Sequence, residues 1–146
     1  MIAFLGSTIG NFAPSARAAF LNDVAEHLAP GDTLLLGTDL VKSPERLVAA
    51  YNDAAGVTAD FNRNSMAVMN RQLRADFDID QFRHDAVWNE PESRIEMRLV
   101  ADSDQRVVFE GLGGHAIEVL ADAWIRTEIS VKFTIPQVAA ELSEAG

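Results

Sequence analysis

The chain has 146 residues, 22 acidic and 12 basic, giving a formal net charge of −10. That length suits one compact domain, and 48% hydrophobic with 23% charged residues is too apolar for a disordered segment. An acidic pI near 4.6 argues against a phosphate-backbone binder, which needs clustered basic surface. The absence of cysteine excludes disulfide scaffolds, cysteine-zinc sites, iron–sulfur clusters and thiol nucleophiles.

No apolar run approaches the ~20 residues of a membrane span, and no basic region precedes an apolar stretch at the start, as a signal peptide requires. The expectation is a cytoplasmic chain with neither nucleic acid nor membrane as partner. Met1 to Gly6 has no polar face and predicts a strand buried on both sides, as in parallel sheets. The polar turn Ser7-Thr8-Ile9-Gly10-Asn11-Phe12 follows. Pro14 to Leu28 has helical spacing, with Phe20, Leu21, Val24, Ala25 and Leu28 on one stripe. Pro14 suits the first turn and Pro30-Gly31-Asp32 the stop. Thr33 to Asp39 predicts a second buried strand, completing a strand–helix–strand crossover. Such a pair alone leaves sheet edges and faces bare. Either the chain oligomerises or it is part of a larger α/β protein, and the second is favoured. Low stability and poor solubility are expected of the isolated chain.

Ser43-Pro44-Glu45 caps a short helix through Ala54, with Leu47, Val48 and Tyr51 on one face. Ala59 to Phe77 predicts a longer helix. After Asp80 the apolar period falls to two. Phe82–Asn89, Ile95–Val100, Arg106–Phe109 and Trp124–Phe133 then predict half-buried antiparallel strands. Gly111 to Gly114 reads as a hairpin turn, and Pro136 to Ala145 as a closing helix.

Ligands of open α/β sheets sit at the carboxyl ends of parallel strands, which singles out Gly6 to Asn11. Gly6 would permit close backbone approach and Gly10 a positive φ, while Asn11 offers an acceptor and two donors. The plain alternative is an ordinary strand-to-helix loop, since neither a Walker loop nor G-x-G-x-x-G is present. Thr38-Asp39 would lie beside that loop, with a turn or cap carboxylate equally open. Tyr51 reads most simply as core packing, and Asn62-Arg63-Asn64 as a solvated helix face. His27, His84 and His115 lie in three separate elements without metal-ligand spacing, so they read as surface or structural and no metal is expected. Glu128 and Ser130 share one strand face, with Thr127, Ile129 and Val131 on the other. If the latter is core, Glu128 and Ser130 face solvent or a pocket. No histidine is spaced to activate Ser130 as a nucleophile.

The strings Phe4-Leu5-Gly6-Ser7-Thr8-Ile9-Gly10-Asn11-Phe12, Leu35-Leu36-Gly37-Thr38-Asp39-Leu40 and Ala50-Tyr51-Asn52-Asp53 closely resemble one family. So do Phe61-Asn62-Arg63-Asn64, Ile95-Glu96-Met97 and Thr127-Glu128-Ile129-Ser130-Val131-Lys132-Phe133. The family is that of the histidine-specific, S-adenosylmethionine-dependent Nα-methyltransferases of ergothioneine biosynthesis, and the resemblance covers nearly the whole chain. It implies an α/β protein: the C-terminal part of a Rossmann-like methyltransferase sheet plus a mixed α+β substrate-binding domain. Residues 1–41 would form the partial Rossmann-like core, 42–133 the substrate-binding domain and 134–146 the closing helix.

The resemblance makes L-histidine the substrate, trimethylated on its α-amino group, S-adenosyl-L-methionine the cofactor without a metal, and the protein a monomer. It assigns Gly6 and Asn11 to the amino-acid end of histidine and Tyr51 to its carboxylate, with Asn11 and Tyr51 as the catalytic pair. Phe61 and Met97 become apolar walls, and Glu128 and Ser130 the partners of the imidazole nitrogens. In-line methyl transfer needs alignment and a neutral amine, and a carboxylate on an imidazole N–H rejects analogues lacking that group. The family's glycine-rich cofactor loop and ribose-reading acid precede the stretch present here. No cofactor-binding residue is therefore nominated, and the isolated chain is expected to be an inactive fragment. The alternatives are a non-catalytic amino-acid-binding or interaction module, or a methyltransferase relative with another amino-acid substrate.

Overall fold

A computed structural model describes residues 1–146. It is an α/β structure of eleven main elements: β1 (Ile2–Phe4), α1 (Pro14–Glu26), β2 (Leu34–Leu36), α2 (Pro44–Tyr51), α3 (Val57–Gln72), β3 (Phe82–Asn89), β4 (Arg94–Ala101), β5 (Gln105–Phe109), β6 (His115–Val119), β7 (Trp124–Val131) and α4 (Ile135–Ala145). The chain forms two compact units. Residues 1–43, 88–95 and 129–146 make the first, and residues 44–87 and 96–128 the second.

In the first unit β1 and β2 pair in parallel, with Ile2 opposite Leu34 and Phe4 opposite Leu36, as the opening crossover predicts. Alternation along each strand sends Phe4, Leu34 and Leu36 into a core with Ile9, Phe12, Phe20, Leu21, Val131, Phe133 and Val138. The rings of Phe4, Phe12 and Phe20 pack within 4.6–6.5 Å of each other. The opposite face is bare, leaving Leu5 57% and Leu35 53% exposed, so only one side of this sheet is covered. Beyond β2, Leu40 makes a parallel bridge to Phe133.

In the second unit α3 lies with a core of Met66, Ala75, Phe77, Phe82, Leu99, Ala101, Val107 and Val119. The helix expected over 59–77 is shorter and starts earlier. Its N-terminus is held by Asp53, whose carboxylate accepts from the N–H groups of Val57 (3.0 Å) and Thr58 (2.8 Å). It ends because Arg74 adopts φ +49°. Past that reversal the Asn70 amide takes both main-chain groups of Phe77, each at 2.9 Å. A side chain so replaces the helical hydrogen bonds, and Phe77 enters the core from outside the helix.

Strands β3, β4 and β7 form a three-stranded sheet with β4 in the middle. The four-residue connection from β3 to β4 forces that pair antiparallel. The half-buried alternation expected of β4 does not hold, because Ile95, Glu96, Met97, Leu99, Val100 and Ala101 are all buried. A central strand with both faces covered has no solvent side. Strands β5 and β6 form an antiparallel hairpin, with Gln105 opposite Val119. The turn expected at Gly111–Gly114 is present, Gly113 and Gly114 both having positive φ. Strand β6 was not anticipated, since four of its five residues are exposed and give it no apolar face. No helix is long and apolar enough to cross a membrane.

Candidate functional site

The turn after β1 is built by two consecutive residues in the left-handed region, Gly6 (φ +80°) and Ser7 (φ +58°). They redirect the chain into a tight 3-10 turn over Thr8–Asn11. The roles expected of the two glycines are exchanged. Gly6 supplies the positive φ, which glycine adopts without steric cost. Gly10 supplies the close approach, since a Cβ there would stand 2.7 Å from the carbonyl oxygen of Val131. Ile9 is buried beneath this turn, and Asn11 stands exposed at its end.

Asp39 lies beside the turn, as its place after β2 predicts, with its main-chain N–H donating to Ser7 Oγ at 2.8 Å. Its carboxylate binds the ammonium of Lys42 and lies 3.3 Å from Lys132 Nζ. Burial pushes the Asp39 carboxyl up, but Lys42 and Lys132 outweigh it and hold the group below the usual carboxylate range. Lys132 is fully buried and also donates to Ser130 Oγ at 2.8 Å. Ser130 is itself buried, so this stretch after Ile129 does not have the solvated outer face that alternation allows. A charged residue is almost never fully buried unless it is paired, and here Lys132 ties Ser130 to Asp39.

The second unit contains a cavity of about 240 Å³ lined by Phe61, Asn62, Asn64 and Ser65 of α3, Met97 of β4, and Thr127 and Glu128 of β7. Three of the residues singled out from sequence, Phe61, Met97 and Glu128, therefore share one cavity. Met97 is buried, Glu128 half-buried, and Phe61 stands at the rim, 66% exposed. The Thr127 hydroxyl donates to the Met97 carbonyl at 3.1 Å, fixing the wall where β4 and β7 meet. The volume lies below the ~300–1,000 Å³ of sites for drug-sized ligands and limits the cavity to a group about the size of one side chain.

The remaining candidates lie elsewhere in the chain. Tyr51 is the half-buried last residue of α2 in the second unit, outside the cavity lining. Gly6, Asn11 and Ser130 belong to the first unit. Glu128 and Ser130 sit two apart on β7, at positions that share a strand face, and the unit boundary falls between Glu128 and Ile129. Sequence reasoning overlooked Asn62, which is 2% exposed rather than solvated, and Lys132, whose burial only a three-dimensional partner explains.

These features define a fold that presents polar side chains from a strand-end turn and a side-chain-sized cavity, and the chain belongs to a family of methyltransferases. The family profile described as histidine-specific methyltransferase, SAM-dependent, matches residues 1–146. A histidine N-alpha-methyltransferase of Mycolicibacterium smegmatis is 56% identical over all 146 residues, which span 45% of that protein. An ergothioneine biosynthesis protein 1 of Neurospora crassa is 43% identical over 65 residues, 44% of this chain and 7% of that protein. The L-tryptophan methyltransferase trpM of Psilocybe serbica is 31% identical over 99% of this chain and 40% of its own length. The chain thus spans less than half of the relatives it matches along its whole length.

Proposed function

We propose that this chain carries the amino-acid-binding part of an S-adenosylmethionine-dependent enzyme that methylates the α-amino group of L-histidine, in the ergothioneine pathway. In this reading residues 1–41 are the Rossmann-like portion, residues 42–133 the substrate-binding domain and 134–146 a closing helix. The observation that carries it is the shared cavity of Phe61, Met97 and Glu128, the residues that would wall and read the imidazole. The relative named as a histidine methyltransferase supports the same assignment at high identity.

Each group has a chemical task. The Glu128 carboxylate accepts a hydrogen bond from an imidazole N–H, and Ser130, held by Lys132, meets the other ring nitrogen. Tyr51 donates its hydroxyl to the substrate carboxylate. Gly6 and Asn11 hold the amino-acid end, where the Asn11 side-chain carbonyl can accept from the amine and orient its lone pair. The cofactor is a different matter. The open space that a glycine leaves for a ligand is closed at Gly10, where the Val131 main chain fills it. Gly10 therefore lines no cradle for a ligand, and no cofactor contact is assigned to residues 1–146.

Calorimetric titration of L-histidine into the polypeptide at its native length tests the reading. Saturable binding is expected, weakened about tenfold by Glu128→Gln, because the amide oxygen still accepts from the imidazole but the charge assistance is lost. A change below about threefold would remove Glu128 from substrate recognition. A second reading keeps the methyltransferase and changes the amino acid, favoured by the relative named as a tryptophan methyltransferase. An indole offers a single N–H to two polar groups, so histidine should bind more tightly than tryptophan; the reverse order would establish the second reading.

A further inference from the structure

His84 and Asn62 form a closed hydrogen-bond relay that ends on Tyr51. The Nδ2 amide of Asn62 donates to the carbonyl of Arg98 at 3.1 Å and reaches His84 Nδ1 at 2.9 Å. The other ring nitrogen, Nε2, lies 2.8 Å from the main-chain carbonyl of Tyr51. A carbonyl only accepts, so the Arg98 oxygen fixes which end of the Asn62 amide is NH2, and the Tyr51 oxygen requires the proton on Nε2. Nδ1 is then the acceptor for the second amide hydrogen. Every donor and acceptor agrees, and the tautomer with the proton on Nε2 completes the relay.

The place of this relay gives it a purpose. Tyr51 is the last residue of α2, and the final carbonyls of a helix have no partner within it. His84, from β3, supplies one. Asn62 is buried and lines the cavity with Phe61, Met97 and Glu128. The relay so couples the end of the helix that carries Tyr51 to the wall of the cavity, through side chains 22 and 33 residues apart in sequence.

We propose that His84 is a positioning residue for amino-acid binding: it fixes the Tyr51 backbone, and with it the direction of the phenol, relative to the cavity wall formed by Asn62. This rests on the substrate role given to Tyr51 above. An amide at position 84 can copy the ring in part. In His84→Gln the side chain still reaches the Tyr51 carbonyl with an N–H and can accept from Asn62. In His84→Asn it is too short to reach Tyr51 and keeps only the contact with Asn62.

The test is L-histidine titration of the polypeptide at its native length, with thermal midpoints measured beside it. His84→Asn is expected to weaken histidine binding about tenfold, and His84→Gln to stay within threefold of the unmodified protein. In a Tyr51→Phe background, His84→Asn should add less than twofold, because a residue that acts only through Tyr51 has nothing left to position. Additive losses, or equal affinities for the Asn and Gln variants, would overturn the proposal even where both variants fold. Should either fail to fold, Asn62→Ser, which is too short to reach His84 from the other side, must give the same non-additive loss with Tyr51→Phe. If the unmodified protein binds no histidine, the functional reading itself fails, a result distinct from equal binding by all variants.

Discussion

The two units bury charge with opposite polarity. In the first, the groups withdrawn from water are cations, Arg17 at 4% and Lys132 at 0% exposure, and their carboxylate partners Glu141 and Asp39 remain partly exposed. In the second, the buried group is an anion, Glu96 at 2%, and its partners Arg98 and Arg126 reach the surface. The difference matters when a pair is broken. A guanidinium keeps its charge at any working pH, so an Arg17 deprived of Glu141 stays a buried ion. A buried carboxylate can take up a proton and become neutral. The first unit is therefore the more fragile to loss of its outer partner.

The largest effect of a broken pair follows directly. Arg17 grips Glu141 through two parallel bonds, Nε to Oε2 at 2.7 Å and Nη2 to Oε1 at 2.8 Å, and also lies over the ring of Phe133. Glu141→Gln should destabilise the chain by about 2 kcal/mol, below the scale for a fully buried pair because Glu141 is partly exposed and the amide oxygen can keep one of the two bonds. Arg126→Gln, whose side chain is 45% exposed at 3.4 Å from Glu96, should cost less than about 1 kcal/mol. Urea denaturation of both variants measures the contrast, and equal costs would abolish it.

Each unit also has one glycine on which a close approach depends. A Cβ at Gly111 would stand 2.5 Å from the Leu73 carbonyl oxygen and 2.8 Å from its carbon. At Gly10 the nearest atom is the Val131 oxygen at 2.7 Å. Main chain cannot rotate aside as a side chain can, so Gly111→Ala should cost about 3 kcal/mol and Gly10→Ala about 2 kcal/mol. Denaturant midpoints within error of the unmodified chain would mean that the backbone relaxes more readily than a packed interior allows.

The sequence made the parallel crossover legible, because two runs without a polar face flank a helix of the right length. It also placed Asp39 beside the Gly6–Asn11 turn, since both follow the carboxyl ends of paired strands. What it hid were features fixed by distant partners. The helix expected to run to Phe77 stops at Gln72, because Asn70 captures both main-chain groups of Phe77. Alternation left Ser130 facing either solvent or a pocket, and could not show that Asp39, some ninety residues earlier, pairs with a buried Lys132 that binds Ser130. Asn62 read as a solvated polar residue because its partners, His84 and Arg98, come from strands that local pattern cannot bring to it. All seven proposed substrate residues were assigned by resemblance, and the cavity shared by Phe61, Met97 and Glu128 could be found only in three dimensions.

Acid should separate the units more gently. Burial pushes the Glu141 carboxyl up, but the Arg17 guanidinium and the Gln137 amide more than offset this and hold it below its usual range. Asp39 is depressed likewise. A carboxyl whose pKa is lower in the fold stabilises the fold above its unfolded value, and that contribution is lost as pH falls through the folded value. The loss begins near pH 4, where free carboxylates start to protonate, and grows below it. Hydrogen exchange between pH 5 and 3 should show amides of α1 and α4 losing protection before those of α3 and β4. The opposite order would place the acid-sensitive pairs in the wrong unit.

The smallest expected signal belongs to one carboxylate of the second unit. Asp53 is held down to about 2 by Thr58, through its side chain and its N–H, and by the N–H of Val57, which together outweigh the opposing effect of burial. These donors bond the ionised form, so the charge persists well below the ordinary carboxylate range. The anchor at the start of α3, the helix that brings Phe61 and Asn62 to the cavity, thus stays ionised into acid. A carboxyl-detected NMR titration should give Asp53 a midpoint of about 2. In Thr58→Val the hydroxyl is lost while the N–H remains, so the midpoint should rise part of the way toward the ordinary value near 4. A midpoint near 4 in the unmodified chain would show that the helix start is no more resistant to acid than the rest, and the contrast between the units would then rest on their buried charges alone.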